Sequence, residues 1–305
     1  MSSVLIQCSG DAMKRMIPTA AVLSFAALLL LHPETATAAM EEGLLLCFRT
    51  VIPSLFPFFV VTSLLTQLGF AGLLQGLFAP LMGPLFKMRG VCALPLLAGL
   101  LGGYPTGAKT AADLHNEGII FKEEAERLLG FCNNCGPAFL LGYVGAGILG
   151  DPALGAKLLV IHMLSALLTG MLLSRLGHVK GPVLLPCRMP DAPIHLPQIF
   201  TGAVTGSLSS MLNICAYVVI FRTAAALLPL PGQWLGAVEM VSGLTSLTSD
   251  NTSFILAAAI TAWGGLSVHC QTMAVTGGLS MKWHWLGKAM QTVIAAALAL
   301  LLGPK

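Results

Sequence analysis

The chain has 305 residues, 56% of them hydrophobic and only 10% charged, with a formal net charge of +3 and a mean hydropathy of +0.84. Soluble domains carry about 25% charged residues, so this composition excludes a sizeable soluble domain and points to a polytopic membrane protein. The small, dispersed positive charge leaves no footprint for nucleic acid.

Lys14 and Arg15 precede an apolar run, Ile17–Leu31, and Ala36-Thr37-Ala38 resembles a signal-peptidase site. Further apolar segments follow, which favours an uncleaved first span over about 16–31; a cleaved signal peptide is the alternative. Lys14 and Arg15 before the span, with Glu34, Glu41 and Glu42 after it, predict a cytoplasmic N-terminus. Gly43–Leu68 follows, with Arg49 and Pro53 near its start. Phe70–Phe86 is cut by Gly76, Pro80, Gly83 and Pro84, so it reads as interfacial or re-entrant. Val91–Leu101 is an eleven-residue apolar run; as helix it covers roughly half of a 30 Å hydrocarbon core. The chain must turn back there or continue as a broken helix.

Asp113–Arg127 is the most polar stretch and predicts a surface helical hairpin, with Glu123, Glu124 and Glu126 on a solvated face. Leu128–Leu149 crosses with an interruption, and Ala153–Leu176 is an ordinary span. Five prolines lie between Gly177 and Pro197, marking an extramembrane linker. The pattern then restarts: Ile199–Leu228 is long and apolar, Trp234–Leu247 is half-length, Phe254–Leu279 is broken at Gly264-Gly265, and Trp285–Leu302 ends the series. The expected organisation is an N-terminal span with its flank (1–39), a first repeat (40–176), a polar linker (177–198) and a second repeat (199–305).

Four constellations carry candidate chemistry. The first is Gly102-Gly103-Tyr104-Pro105-Thr106-Gly107-Ala108-Lys109. Its glycines stop one helix at Gly103, and the next helix would present unpaired N–H groups and a partial positive charge to an anion. Thr106 adds a hydrogen-bonding hydroxyl and Lys109 a full charge. Alternatively, Lys109 pairs with Asp113 at i+4. The second is Asn133-Asn134-Cys135-Gly136-Pro137, whose amides suit a polar ligand or an ion, or else satisfy the broken backbone. The third is Glu239 with Ser242, Gly243 and nearby hydroxyls; a carboxylate in a membrane segment is a functional candidate by default, unless it lies at the interface. The fourth follows Gly264-Gly265: Ser267 and Gln271 share a helical face, suited to lining a polar cavity. His269 and His162 read as packing residues. Broken segments at corresponding places in two halves point to a midplane transport site.

The eight cysteines form no evident disulfide framework. Cys132 and Cys135 match C-x-x-C but lack a second ligand pair, so a redox or metal role is disfavoured. Neither H-E-x-x-H nor G-x-S-x-G occurs, and an enzyme is not expected. The rivals to a transporter are a non-transporting membrane scaffold and an intramembrane enzyme using Cys132 or Glu239.

These residues resemble the nucleoside recognition (Gate) domain family, and within it the YlbJ-type sporulation integral membrane proteins. The matching stretches are Leu55-Phe56-Pro57-Phe58-Phe59, residues 102–109, Glu124-Ala125-Glu126-Arg127-Leu128, Asn133–Phe139, Glu239-Met240-Val241-Ser242-Gly243 and 264–271. Gate domains are similar to concentrative nucleoside transporters. The resemblance therefore implies an all-α multi-pass protein of the cell membrane, built from two inverted repeats with re-entrant hairpins and unwound helices. It further implies transport of a small anion, dipicolinic acid during spore formation, across the outer forespore membrane, with a nucleoside-like solute as the alternative. Cys132 and Cys135 depart from the small or hydroxylated residues expected beside the asparagines. On this reading Thr106 and Lys109 hold carboxylates beside Gly103 in the same substrate site, Asn133 and Asn134 meet the ring or a coupling ion, and Glu239, Ser267 and Gln271 complete the pocket. The expected partners are that anion, the bilayer and, as an option, further copies of the chain; no metal or cofactor is implied.

Overall fold

A computed structural model describes residues 2–176, 195–248 and 250–303, and all regular structure among them is helical. Helix α1 (Ser2–Leu31) meets α2 (Pro33–Leu46) at His32, where the membrane-length portions bend by 101°. The expected boundary at 39–40 thus falls inside α2. A π turn, Cys47–Val51, leads into α3 (Ile52–Gln67), and a 98° bend separates it from α4 (Phe70–Phe86). Gly69 makes that bend in the left-handed region, at φ 77°.

Three short helices come next. Helix α5 (Ala93–Gly102) and α6 (Thr106–Asn116) flank the first break, and α7 (Lys122–Leu128) precedes the second. Residues 129–138 form turns and extended chain before a π-helical stretch, Phe139–Ile148, and α8 (Pro152–Leu176). The expected linker at 177–198 lies mostly outside the described residues. Helix α9 (Leu196–Leu227) begins within it. Then come α10 (Gly232–Leu235), α11 (Met240–Thr245), α12 (Asn251–Trp263), α13 (Gly265–Val275) and α14 (Lys282–Leu302).

Four helical runs among the described residues are long and apolar enough to cross a bilayer: α8, α9, α12 with α13, and α14; the two bent pairs raise this to six. Helix α8, with 25 residues, spans about 37 Å and so exceeds a hydrocarbon core of about 30 Å. Apolar side chains such as Leu73, Leu212 and Val293 remain exposed outward. A soluble fold does not tolerate that many, whereas lipid does. The protein is a multi-pass membrane protein.

One order of elements occurs twice: a short helical pair, a broken segment, then a long span. It runs α5–α6, α7 with the 129–148 stretch, and α8; then α10–α11, α12–α13, and α14. Helix α14 packs against both α8 and α12, joining the halves. One buried core holds Phe86 stacked on Phe131, with centroids 5.2 Å apart, beneath α4–α8; a second holds Leu158, Leu244 and Phe254.

The polar insertion does form a helical hairpin, α6–α7, but its acidic face is not solvated throughout. Glu124 is buried and takes both Arg89 Nε and Nη2, while Arg89 Nη2 also donates to the Ile119 carbonyl at 3.0 Å and Glu124 Oε2 accepts from Phe121 N at 2.9 Å. The sequence places Arg89 outside the insertion, so periodicity within 113–127 gave no sign of this pair.

Candidate functional site

Gly99 and Gly107 lie eight positions apart, which would be about 12 Å along a continuous helix. Instead, a Cβ built on Gly107 would stand 2.9 Å from the Gly99 Cα. The chain therefore doubles back between α5 and α6, and Thr106 N donates to the Gly103 carbonyl at 2.8 Å to close the turn. The Cys132 carbonyl of the second break packs into the same place. A Cβ at Gly99 or Gly107 would lie 1.6 or 2.0 Å from that oxygen, so only glycine lets the hairpin and the unwound strand approach so closely.

The second half repeats this packing. Gly243 folds against Gly236 across the α10–α11 turn, and the break at Gly264-Gly265 (φ 85° and 79°) rests on it. Leu266 N and Ser267 N, otherwise unpaired at the start of α13, donate to the Ala237 and Val238 carbonyls at 3.0 Å each. In the first half, Cys135 N donates to His162 Nε2 at 3.0 Å, and Asn134 Nδ2 to the Phe131 carbonyl at 2.8 Å. Unwound backbone at membrane depth must be satisfied by protein, and these contacts do so. His162 therefore has a specific partner that its lone place in α8 gave no reason to expect.

The breaks meet at one polar node. Tyr104, at the tip of the first hairpin, donates from Oη to the Thr261 carbonyl at 2.7 Å. Lys288 of α14 donates from Nζ to Tyr104 Oη (3.2 Å), the Ala262 carbonyl (3.3 Å) and Gln291 Oε1 (2.7 Å). Gln291 Nε2 then donates to Asn134 Oδ1 at 3.0 Å. Asn133 Nδ2 reaches across to Thr272 Oγ1 of α13 at 2.7 Å. The two breaks of the first half, the helices flanking Gly264-Gly265 and the last span are thus tied by buried hydrogen bonds.

Against this node lies a cavity of about 370 Å³, within the range of small-molecule sites. Phe58, Tyr104, Phe139 and Tyr143 line it, together with the backbone of Gly102, Gly103 and Gly136. Of the residues singled out by sequence, Gly103, Glu239, Ser267 and Gln271 line this cavity. Gln271 Nε2 donates to Ser267 Oγ at 3.1 Å, as their shared face anticipates.

Thr106, Lys109, Asn133 and Asn134 are not among its lining residues. Lys109 takes the pairing alternative: its Nζ is 2.7 Å from Asp113 Oδ2. Thr106 Oγ1 and Asn133 Oδ1 are buried without a partner. Asn133 and Asn134 serve the broken backbone and the node. Glu239 is buried and caps α11, accepting from Val241 N (2.9 Å), Ser242 N (2.7 Å) and Ser242 Oγ (2.8 Å). Arg222 Nη1 stands 3.6 Å from its Oε2.

Sequence reasoning missed Tyr104, Lys288 and Gln291. An ionisable residue inside the apolar run 285–302, with an amide at i+3, is itself a signal that could have found Lys288. His269 also proved more than packing, because its Nδ1 lies 2.8 Å from His284 Nε2, and His284 Nδ1 lies 3.1 Å from the Leu129 carbonyl.

The sequence profile described as nucleoside recognition (Gate) matches residues 48–283. The chain is also similar to the sporulation integral membrane protein YlbJ of Bacillus subtilis (strain 168), with 27% identity over 319 aligned positions covering 89% of this chain and 78% of that protein. No solved structure matches.

Proposed function

The chain belongs to the nucleoside recognition (Gate) family, and from that premise we propose that it is a membrane transporter of a small anionic aromatic solute. The observation that carries the reading is the aromatic-walled cavity set where both broken segments converge. Helices α12 and α13 contribute 13 and 11 residues on either side of Gly264, so the break lies near mid-depth, where secondary transporters seat their solute.

Dipicolinic acid fits the resemblance of the sequence and the chemistry of the site: a flat ring for Phe58, Tyr104, Phe139 and Tyr143, and polar ends for Gln271, Ser267 and the glycine backbone. The relative's name, sporulation integral membrane protein, supports placing this activity in spore formation; the outer forespore membrane follows only from the resemblance of the sequence. The two halves act as inverted repeats, and alternating access comes from one half moving against the other. Lys109 is no longer the charge this reading needs, since it is committed to Asp113.

The test is uptake into proteoliposomes containing the purified protein, with dipicolinate and uridine offered separately. Accumulation of dipicolinate above protein-free liposomes supports the reading. Uptake of uridine alone assigns the cavity to nucleoside-like solutes, and uptake of neither favours a scaffold.

A further inference from the structure

Charged side chains buried in the protein are mostly matched. Arg89 pairs with Glu124, Lys109 with Asp113, and Glu239 with Arg222, which also reaches Glu42 at 2.7 Å. Among the described residues two buried cations have no carboxylate at ion-pair distance. Arg127 lies over the Trp283 ring, at 5.3 Å. Lys288 is fully buried in α14, and its three bonds go to a phenol, a carbonyl and an amide.

All three Nζ donors of Lys288 are therefore used, yet nothing neutralises its charge. The titratable groups facing it are Tyr104, Cys132, Cys135 and His162 from the neighbouring elements, His269 from α13 and His284 from its own helix. None of these is an acid that carries negative charge in its ordinary neutral-pH form. A buried ammonium without a counter-charge is costly, and more so at membrane depth. Only one side chain separates it from the cavity: Tyr104 lines the cavity and lies under Lys288 Nζ, 4.8 Å from the ring centroid. Cys135 also lines the cavity.

We propose that Lys288 supplies the positive charge that makes the cavity prefer an anionic solute, acting through Tyr104 as a positioning and specificity residue. The proposal rests on the reading that this cavity seats the solute. An anion there sits across a thin, water-poor wall from the ammonium, where charges act more strongly than in water. It provides the counter-charge that the protein itself withholds.

The test is equilibrium binding to the purified full-length protein in nanodiscs, with pyridine-2,6-dicarboxylate and the neutral pyridine-2,6-dimethanol as probes. Wild type binds the dianion about tenfold or more tighter than the neutral probe. Lys288→Met loses that preference while binding the neutral probe within about twofold of wild type, and Lys288→Arg retains it. Should Lys288→Met fail to fold, Lys288→Gln replaces it in the same comparison. Equal wild-type affinity for both probes, or an unchanged preference without the charge, overturns the role of Lys288 and leaves the cavity as a solute site. Wild type binding neither probe overturns the reading of the cavity itself, and the role of Lys288 with it.

Discussion

Gly107 faces the Cys132 carbonyl so closely that a methyl group there would stand 2.0 Å from the oxygen. The first hairpin and the second break therefore share one contact surface with no room for a side chain. Gly107→Ala must push them apart, and an expected loss of about 3 kcal/mol follows from overpacking with backbone displacement. Gly76→Ala, where a Cβ meets nothing within 4 Å, changes stability by less than about 1 kcal/mol. Thermal unfolding of both variants in detergent checks the contrast, and equal melting points refute the contact.

Glu124 is the buried half of an ion pair with Arg89, both almost fully shielded. Glu124→Ala leaves the guanidinium without its carboxylate and Phe121 N without its acceptor. The expected cost is about 3–5 kcal/mol, as for other buried pairs broken on one side. Purified yield and melting temperature report it; a variant as stable as wild type contradicts the burial.

Glu239 has its carboxylate oxygens turned to Val241 N and Ser242 N. Capping of this kind predicts a loss of about 1–2 kcal/mol for Glu239→Ala. Glu239→Asp shortens the reach and falls between. If the carboxylate instead carried a transported proton, Glu239→Ala would abolish uptake at unchanged stability, so melting and proteoliposome flux measured together separate the two roles.

Lys109, held by Asp113 at 2.7 Å, is expected to matter little to solute recognition. Lys109→Ala shifts dipicolinate binding by less than about threefold and costs about 1 kcal/mol or less. A tenfold loss of affinity measured by calorimetry returns Lys109 to the site.

Tyr104→Phe removes the hydroxyl that links Lys288 to the Thr261 carbonyl. Leaving a buried carbonyl and an ammonium donor unpaired costs about 1–3 kcal/mol. Stability of the variant, compared with Tyr217→Phe at a half-exposed position, measures the node directly.

How far the sequence foretold this depends on whether a feature is local. The breaks at Gly103, Asn133–Pro137 and Gly264-Gly265 are written in glycine and proline, so each was readable where it stands. The pairing of Ser267 with Gln271 and of Lys109 with Asp113 follows from helical spacing alone. The node was not legible, because Tyr104, Asn134, Thr261 and Lys288 come from four separate segments and meet only once the chain is packed. The partnership of His162 with Cys135 N was hidden for the same reason, as was that of Arg89 with Glu124. Glu239 stood out as a carboxylate in an apolar segment, but its neighbours two and three positions onward decide that its oxygens face the backbone.

The interruption in α12–α13 falls almost halfway along a 25-residue run. A guest held beside it is nearly equidistant from the water on either side. If the protein transports as proposed, such a guest need not travel to be released: loosening a thin hairpin on one flank would open a route to one compartment while the opposite flank stays shut, and reversing the choice would open the other.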